Sequence, residues 1–474
     1  MKSVRTLVAT GVVVTLLVMV FFANSQIAAL NAQRLSPGVS LLRANARSAY
    51  EGDANHNAEN ARGIYVYSLN IAVDGPPTST GAAQLIQGLG VPGVDGITLV
   101  ENWSAIEPLK GVFEWQLASP NPDLLDQWLS AVVVAGKKIN LAIRAGADEP
   151  SWLFDPVAQG GAGATPFTFK SSPHQGQSRP TCKRVTIATP WDPIFLSEWD
   201  TMLAAVSKHL MDVGAYDAVK LVRLTGINRT TDEFRLPEEI LDETQGAPCT
   251  ANSIDTWMQA GYRPGLLLQA WDAITTSFQK SFPNKTFNVP IIPIDTGQGQ
   301  YPFPEIDDNG CVFSPPIQAN PPVYACVNTG TIKQQDDQLN KVLFDLLDKA
   351  SQKFPGHLII EFENLEINRG ASPSVVEAAE DFGAMTGFMT NNYFASSTTT
   401  GGAACSGGFN NPVACTDSPA YLALLEIGIY PCRTNVCTPN YLQSQFIEVI
   451  PPDVITYSEA ILKAHIELHR TPEF

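Results

Sequence analysis

Two segments of the chain hold acidic residues where they could do chemistry. Glu233 lies within residues 225–237, into which the apolar stretch 219–226 runs, and Glu361 and Glu363 lie two positions apart inside the apolar stretch 358–365. An ionised carboxylate acts as a nucleophile or general base, and a carboxyl group with a raised pKa acts as a general acid. These residue types therefore favour paired-carboxylate chemistry, provided that the fold brings the two segments together.

The rest of the chain alternates apolar strand-like stretches with amphipathic helical ones. The predicted strands cover residues 62–70, 96–103, 138–145, 219–226, 287–295, 357–363, 387–393 and 446–450. Helical periodicity is found within 125–132, 199–210 and 339–350, and residues 456–459 have the spacing of a capping box. This alternation predicts an α/β fold of parallel βα units, and about eight units indicate a (β/α)8 TIM barrel; a doubly wound open sheet is the alternative.

Strand alternation also predicts where the acidic side chains point. Glu361 and Glu363 share one face of their strand, and the other face is apolar. A carboxylate is costly against an apolar helix layer, so we expect the glutamate face to point into the barrel. The same parity turns Arg223 and Arg144 inward, and either could pair with Glu361. That pairing would give Glu361 a structural role and leave Glu363, nearer the C-terminal end, free for chemistry.

Composition excludes some classes of function. The 474 residues include 30 Lys and Arg against 47 Asp and Glu, which gives a net charge of −17. Nucleic acid is therefore not an expected partner, because phosphate binding needs a basic face. The hydrophobic fraction of 44% argues against disorder, and the charged fraction of only 16% favours an exported protein.

The N-terminus also indicates export. Lys2 and Arg5 precede an apolar run over residues 6–23, so residues 1–25 are predicted to be a signal peptide or a membrane anchor. Residues 26–60 are expected to be a polar linker, and 61–474 a single catalytic barrel. The predicted location is secreted, periplasmic or extracellular, with a possible membrane tether through the apolar run.

The cysteines fit an exported chain. There are eight, and an even number in an oxidising compartment predicts disulfides, although 105 pairings are open. Five of them fall in long segments, 150–192, 296–332 and 394–418, which we expect to be disulfide-pinned βα loops around a cleft. No CxxC pair occurs and the six histidines are scattered, so neither a metal nor a cofactor is predicted.

Several pieces of the chain resemble a known family in their order. Residues 102–115 carry Trp103, then Glu107-Pro108, a glycine and two aromatic residues. The helix near 125–129, the strand near 138–145 and a Pro-Ser-Trp-Leu loop at 150–153 follow. This order is similar to that in clan A glycoside hydrolases of the β-galactosidase and xylanase branches. The resemblance implies an acid/base glutamate after the fourth strand and a nucleophilic glutamate after the seventh.

The chain departs from this family pattern in two places. Family members usually have asparagine directly before the acid/base glutamate, whereas here Asp232 takes that position and Asn228 lies five residues before Glu233. Residues 233–237 are also similar to the acid-bearing loop of the inverting β-amylases. Glu363 falls on the sixth predicted strand, so either a further strand lies within 296–332 or the nucleophile is elsewhere.

These observations predict a glycoside hydrolase that cleaves a poly- or oligosaccharide. Glu233 is the predicted general acid/base and Glu363 the predicted nucleophile of a retaining mechanism. The predicted carbohydrate-binding residues are Asn102, Trp103, Arg144, Trp152, Asn228 and Asn391. The alternative is a non-catalytic carbohydrate-binding or cell-surface protein on a degenerate barrel. The sequence does not specify an oligomeric state.

Overall fold

The computed structural model describes most of the chain after residue 60. The described residues are 61–68, 71–116, 124–171, 183–237, 253–291, 302–304, 306–309, 323–325, 332–334, 341–365, 376, 379, 382–390, 419–431 and 444–470. The predicted leader and linker, all eight cysteines and Asn391 lie outside these residues. Among the helices within them, none has the length and apolar character needed to cross a membrane.

The strands confirm the barrel. They are β1 Gly63–Tyr67, β2 Gly96–Asn102, β3 Lys138–Arg144, β4 Pro166–Ser171, β5 Lys183–Ala188, β6 Val219–Arg223, β7 Thr286–Ile291, β8 Val323–Ala325, β9 Ile332–Gln334, β10 Leu358–Leu365, β11 Met385–Thr390 and β12 Phe446–Val449. Eight of them close in the order β1-β12-β11-β10-β7-β6-β3-β2, and all neighbouring pairs are parallel. This is a (β/α)8 TIM barrel, whereas disulfide-pinned loops stay a prediction.

The strand count places the second acidic segment on the sixth barrel strand. β4–β5 and β8–β9 are antiparallel hairpins outside the barrel, so the described part of residues 296–332, where a further strand was considered, adds no strand to the barrel. The seventh barrel strand, β11, carries no carboxylate over Met385–Thr390. Glu363 thus lies on the sixth barrel strand, as its predicted position indicated, and β11 itself supplies no alternative carboxylate.

Helices surround the barrel. They are Ile71–Asp74, Ala83–Leu89, Trp103–Ile106, Leu124–Val134, Pro193–Asp212, Ser253–Gln259, Pro264–Ser281, Lys341–Lys353, Pro419–Ile429, Pro451–Thr456 and Ser458–His469. The long helix after β5 begins as its sequence predicts. Asp192 accepts hydrogen bonds from the backbone N–H of Ile194 at 2.8 Å and of Phe195 at 3.0 Å, and Pro193 occupies the first turn.

The capping box predicted at residues 456–459 is wrong. Thr456 ends the short helix Pro451–Thr456, and its Oγ1 donates to the Pro452 carbonyl at 2.7 Å. The next helix begins at Ser458 after Tyr457, without a side-chain cap. Pro451 and Pro452 begin a separate short helix earlier than expected. Thr456 is the last residue of that helix, so it cannot cap the helix that follows.

The barrel interior has three layers. Each layer contains alternate inward-facing residues of the strands. The lower apolar layer contains Tyr65, Leu221, Ile359 and Phe446. The upper apolar layer contains Tyr67, Val100, Ala142, Met389 and Ile450. The middle layer is polar and fully buried: Thr98, Asn140, Arg223, Asn288, Glu361 and Glu448. The polar layer therefore lies between two layers of mainly apolar side chains.

Candidate active site

An arginine at the end of β6 organises the polar layer. Arg223 Nη2 donates to both carboxylate oxygens of Glu361, at 3.0 and 2.8 Å, and lies 2.8 Å from Glu448 Oε2. Its Nη1 donates to Asp232. Of the two arginines that were expected as partners of Glu361, the structure pairs Arg223 with it. Both side chains are fully buried, which gives Glu361 a structural position inside the barrel.

Neutral donors complete the contacts of the two buried glutamates. Thr98 and Asn140 donate to Glu448 Oε1, the latter at 3.1 Å, and Asn288 donates to Glu361 Oε2. Burial raises the pKa of Glu361 well above its usual range; Arg223 opposes this shift, and the nearby Glu448 adds to it.

Asp232 connects this layer to the rim of the barrel. Its Oδ1 accepts a hydrogen bond from the Tyr67 hydroxyl at 2.8 Å, and its Oδ2 accepts one from Arg223. Burial acts to raise the pKa of Asp232, but the charges of Arg223 and Arg144 outweigh it and the pKa is lowered. Sequence reasoning noted this position only as a departure from asparagine. In the structure it ties the loop after β6 to the barrel interior.

Two predicted carbohydrate-binding residues meet at the ends of neighbouring strands. Asn102 of β2 and Arg144 of β3 are in register, and Arg144 Nη2 donates to Asn102 Oδ1 at 2.9 Å. Arg144 Nε lies 2.8 Å from Asp148 Oδ2, with 12% and 20% of the two side chains exposed. Burial raises the pKa of Asp148 against the effect of Arg144. The rim thus holds a partly exposed group of amide, guanidinium and carboxylate.

Glu233 lies on the loop after β6. Its side chain is 17% exposed, and its Oε2 lies 3.2 Å from Arg235 Nη1. Asn228 shapes this loop: its Oδ1 accepts from the Gly226 N–H at 2.8 Å, and its Nδ2 donates to the Glu233 carbonyl at 3.1 Å. The amide of Asn228 is thus used within the loop. The structure places it as a support for Glu233 instead of a free sugar ligand.

The second predicted catalytic residue lies at an irregular point of its strand. Glu363 is two positions beyond Glu361 in β10, toward the C-terminal end. The pairing of β10 with β11 shifts register between Phe362 and Leu365. Bulges of this kind redirect side chains and are frequent near active sites. The side chain of Glu363, like all of Asn391, lies outside the described part of the chain, so both roles stay predictions.

The two tryptophans expected in the cleft lie in the core. Trp103 is fully buried and Trp152 is 5% exposed, and their ring centroids are 5.9 Å apart with the rings edge to face. Trp103 Nε1 donates to Glu107 Oε2 at 3.0 Å, and Trp152 Nε1 donates to the Glu107 carbonyl at 2.8 Å. Neither ring offers an open face to a sugar. The glutamate of the Glu-Pro pair satisfies the buried indoles, which explains this piece of the family resemblance as a structural one.

Three potential metal ligands lie together at the opposite, N-terminal end of the barrel. Asp95, His465 and His469 each present a ligand atom, and these atoms lie within 4.8 Å of one another. Sequence analysis did not single out this group because Asp95 is distant from the two histidines along the chain. The spacing of the two histidines, four residues apart on one helix, was the available signal.

Comparisons with known proteins find related structures only at low sequence identity and low TM-score. No protein-family model and no curated protein sequence matches the chain. Xylanase 10B from Thermotoga maritima has a similar structure with a TM-score of 0.41 and 9% identity, over 90% of this chain and 99% of that one. An exo-β-1,4-mannosidase from Opitutaceae bacterium strain TAV5 has a TM-score of 0.41 and 11% identity, over 85% of this chain and 60% of that one.

A third similar structure is the intracellular xylanase from Thermoanaerobacterium saccharolyticum, determined in complex with xylotriose. Its TM-score is 0.40 at 9% identity, over 86% of this chain and 99% of that one. These structural neighbours are glycoside hydrolases. At this level the comparisons add nothing about individual residues, and the barrel itself rests on the strand pairing of this chain.

Proposed function

We propose that this protein is a glycoside hydrolase that cleaves O-glycosidic bonds of a poly- or oligosaccharide at the C-terminal face of its barrel. The observation that carries the proposal is the grouping at this rim. Asn102, Arg144 and Asp148 meet where β2 and β3 end, and Glu233 lies on the loop after β6. Active sites of TIM barrels lie at this face, and such polar groups suit sugar hydroxyls.

The proposed mechanism uses two carboxyl groups. Glu233 protonates the glycosidic oxygen while Glu363 attacks the anomeric carbon, so the bond to the leaving group breaks as the glycosyl–enzyme bond forms. Glu233, now a base, takes a proton from water, which attacks the same carbon and releases Glu363. Two displacements retain the anomeric configuration. This mechanism expects the two carboxyl groups to lie about 5–5.5 Å apart.

The contacts of Glu233 support its role. Asn228 bonds to its backbone carbonyl at 3.1 Å and Arg235 contacts its carboxylate at 3.2 Å, so both ends of the residue are held. The carboxylate keeps part of its surface exposed, unlike Glu361 below it. A residue that must reach a substrate needs both a fixed position and an open side.

The test is hydrolysis of a glycan panel that includes xylan, mannan and β-galactan oligosaccharides, with anomer-resolved product detection by NMR. Glu233→Gln and Glu363→Gln should each lower kcat/KM by at least about 1,000-fold without loss of fold, because each removes a reacting group. The matched control is Glu198→Gln. Glu198 lies on the helix Pro193–Asp212, with 18% of its side chain exposed, and pairs with Lys110 at 2.8 Å.

The outcomes separate the hypotheses. Activity close to wild type in either variant would remove that residue from its role. Binding of a glycan by the wild-type chain with no hydrolysis of any panel member would favour the carbohydrate-binding alternative. An inverted product anomer would keep the hydrolase but replace the nucleophilic role of Glu363 with that of a general base.

A second substrate separates the acid from the nucleophile. A dinitrophenyl glycoside has a leaving group that needs no protonation, so the first displacement no longer needs Glu233. Glu233→Gln should retain much more of its activity on this substrate than on an oligosaccharide. Glu363→Gln should be inactive on both, because it lacks the attacking carboxylate.

We also propose that the protein is exported. Lys2 and Arg5 before the apolar run of residues 6–23 support this. N-terminal sequencing of the protein recovered from its producing cells tests the proposal. A mature chain that starts near residue 25 indicates a cleaved signal, and an intact N-terminus in the membrane fraction indicates an anchor. An intact chain in the cytoplasm would contradict export.

A further inference from the structure

We propose that Asp95, His465 and His469 form a binding site for a divalent transition metal ion, with Zn²⁺ as the best-fitting class. The site lies at the N-terminal end of the barrel, where Asp95 immediately precedes β2. The proposed active site is at the opposite, C-terminal face. The metal site is therefore independent of the proposed hydrolase activity.

The last helix presents two imidazoles to one carboxylate. His465 and His469 are four residues apart on Ser458–His469, which places them on the same face of that helix. Nδ1 of His465 lies 3.0 Å from Asp95 Oδ2, and Nε2 of His469 lies 3.3 Å from Asp95 Oδ1. One ligand atom from each of the three residues lies within 4.8 Å of the others.

These distances suit tetrahedral coordination. Zn²⁺ binds imidazole nitrogen and carboxylate oxygen at about 2.0–2.2 Å, so neighbouring ligand atoms in a tetrahedral site are about 3.3–3.5 Å apart. With Oδ2 of Asp95 as the ligand, its distances to His465 Nδ1 and His469 Nε2 are 3.0 and 3.4 Å, within a few tenths of an ångström of this value. Two histidines and one carboxylate leave a fourth position for water, and nitrogen–oxygen sites of this kind suit zinc better than calcium or magnesium.

The surrounding backbone holds the carboxylate in place. The Ile64 N–H donates to Asp95 Oδ2 at 2.9 Å, an outer contact of the kind that orients metal ligands. A Cβ atom added at Gly63 would lie 2.5 Å from the Asp95 Cβ, so only glycine allows β1 to come this close. The site is thus built by close packing and does not depend on mobile side chains alone.

The last helix is held equally closely. Gly93, at φ +90°, lies so near this helix that an added Cβ would be 2.8 Å from the Leu462 Cα and 3.2 Å from the His465 Cβ. The loop that leads to Asp95 therefore fixes the helix that carries both histidines. Lys138 is a cation near Asp95, and its Nζ donates to the Arg62 carbonyl at 2.7 Å.

A metal here would have a structural role. It would join the C-terminal helix Ser458–His469 to the start of β2 and so fasten the end of the chain to the barrel. A metal ion that binds only the folded chain raises the free energy of unfolding by mass action. The expected effect is on stability and helix docking, without contact with the substrate.

The experiment is titration of the chelator-treated full chain with ZnCl₂ by calorimetry. Wild type should bind one equivalent at this site with a dissociation constant in the micromolar range or below. His465→Gln and His469→Gln should each weaken this binding at least about 10-fold. The matched control is His209→Gln, which removes another histidine–aspartate pair, His209 Nε2 to Asp126 Oδ1 at 2.6 Å, and should bind as wild type does.

Cobalt spectroscopy separates this site from the eight cysteines. Co²⁺ added to the wild-type chain should give visible ligand-field bands that the His465→Gln/His469→Gln double variant lacks. These bands should come without thiolate-to-cobalt charge transfer. Asp95→Asn should weaken binding while keeping an acceptor for the Ile64 N–H, which controls for misfolding. Equal binding by wild type and the double variant, thiolate bands alone, or no binding would overturn the proposal.

Discussion

The barrel interior and its C-terminal rim contain the same types of side chain in different surroundings. Arg223, Glu361 and Glu448 in the interior are fully buried between two apolar layers. At the rim, Arg144 and Glu233 retain 12% and 17% of their side-chain exposure. Both regions contain arginine–carboxylate contacts. The difference shows that access, and not residue type or strand position alone, separates a structural carboxylate from a candidate catalytic one.

This difference in exposure should decide how much each arginine contributes to the free energy of unfolding. Charges buried in a medium of low dielectric depend on their partners, because water cannot replace a lost contact. At the rim, water screens the charges and can take the place of a partner. Changes in the interior should therefore affect stability, and changes at the rim should affect activity.

Removal of the interior arginine has the largest expected effect on stability. Arg223→Met leaves Glu361, Glu448 and Asp232 buried without their shared cation, and should lower the free energy of unfolding by about 3–5 kcal/mol. Urea denaturation followed by circular dichroism measures this loss. Arg235→Met at the rim is the matched control, with an expected loss below about 1 kcal/mol. Similar losses in the two variants would contradict the distinction between the regions.

Glu149 is a carboxylate near the rim that is nevertheless buried, and it makes the stability of the protein depend on pH. Glu149 accepts hydrogen bonds from the Ala188 N–H at 2.7 Å and the Gly146 N–H at 2.9 Å, and burial raises its pKa to about 8. A raised pKa means that folding favours the protonated form. The resulting stability is fully present below the ordinary pKa of a glutamate, and it is lost as the pH rises through about 8.

The variant Glu149→Gln stays neutral and should remove this dependence. Between pH 5 and pH 9, about 1–3 kcal/mol more stability should be lost by wild type than by the variant. Urea midpoints at several pH values provide the measurement. Parallel pH profiles for the two proteins would show that Glu149 titrates normally and that burial does not control this part of the rim.

A conservative change inside the polar layer should have a smaller effect. Glu361→Gln replaces a carboxyl group whose pKa burial raises with a neutral amide of similar shape, whose oxygen can still accept a hydrogen bond from Arg223. We expect the free energy of unfolding to fall by about 1 kcal/mol or less in the same denaturation assay, well below the effect of Arg223→Met. A loss as large as that of the arginine variant would mean that Glu361 is fully ionised.

The rim pair should have the smallest stability effect. A double-mutant cycle on Glu233 and Arg235, which lie 3.2 Å apart, should give a coupling of about 0.2–1 kcal/mol, because both side chains are partly exposed. The cycle uses Glu233→Gln, Arg235→Met and the double variant. A coupling above about 2 kcal/mol would identify the pair as a structural one, like those of Arg223, and would weaken the catalytic assignment of Glu233.

Periodicity was sufficient to predict the barrel and its interior pairing. The eight barrel strands lie close to their predicted positions, because a buried parallel strand is a continuous apolar run whichever residues it pairs with. Strand alternation also predicted that Arg223 or Arg144 would pair with Glu361, and the structure shows that the partner is Arg223. The hairpin β4–β5 was missed, since it lies within a loop region rich in turn-forming residues.

Contacts between distant loops could not be predicted. Trp103 and Trp152 resembled sugar platforms, but Glu107 satisfies both indoles inside the core. Asp95 and His469 meet across 374 positions of the chain, and no local spacing indicates such a contact. The fold brought the predicted residues Asn102 and Arg144 together, because the parallel register of β2 and β3 places them side by side, and the sequence does not encode that register locally.

The most direct test of the proposed active site is a crystal structure of the Glu233→Gln variant with an oligosaccharide that the wild-type protein cleaves. The sugar should lie across the C-terminal rim near Arg144, with its glycosidic oxygen about 3 Å from the side chain of residue 233. A sugar bound at another surface, or one at the rim whose glycosidic oxygen is out of reach of residue 233, would contradict the proposed site.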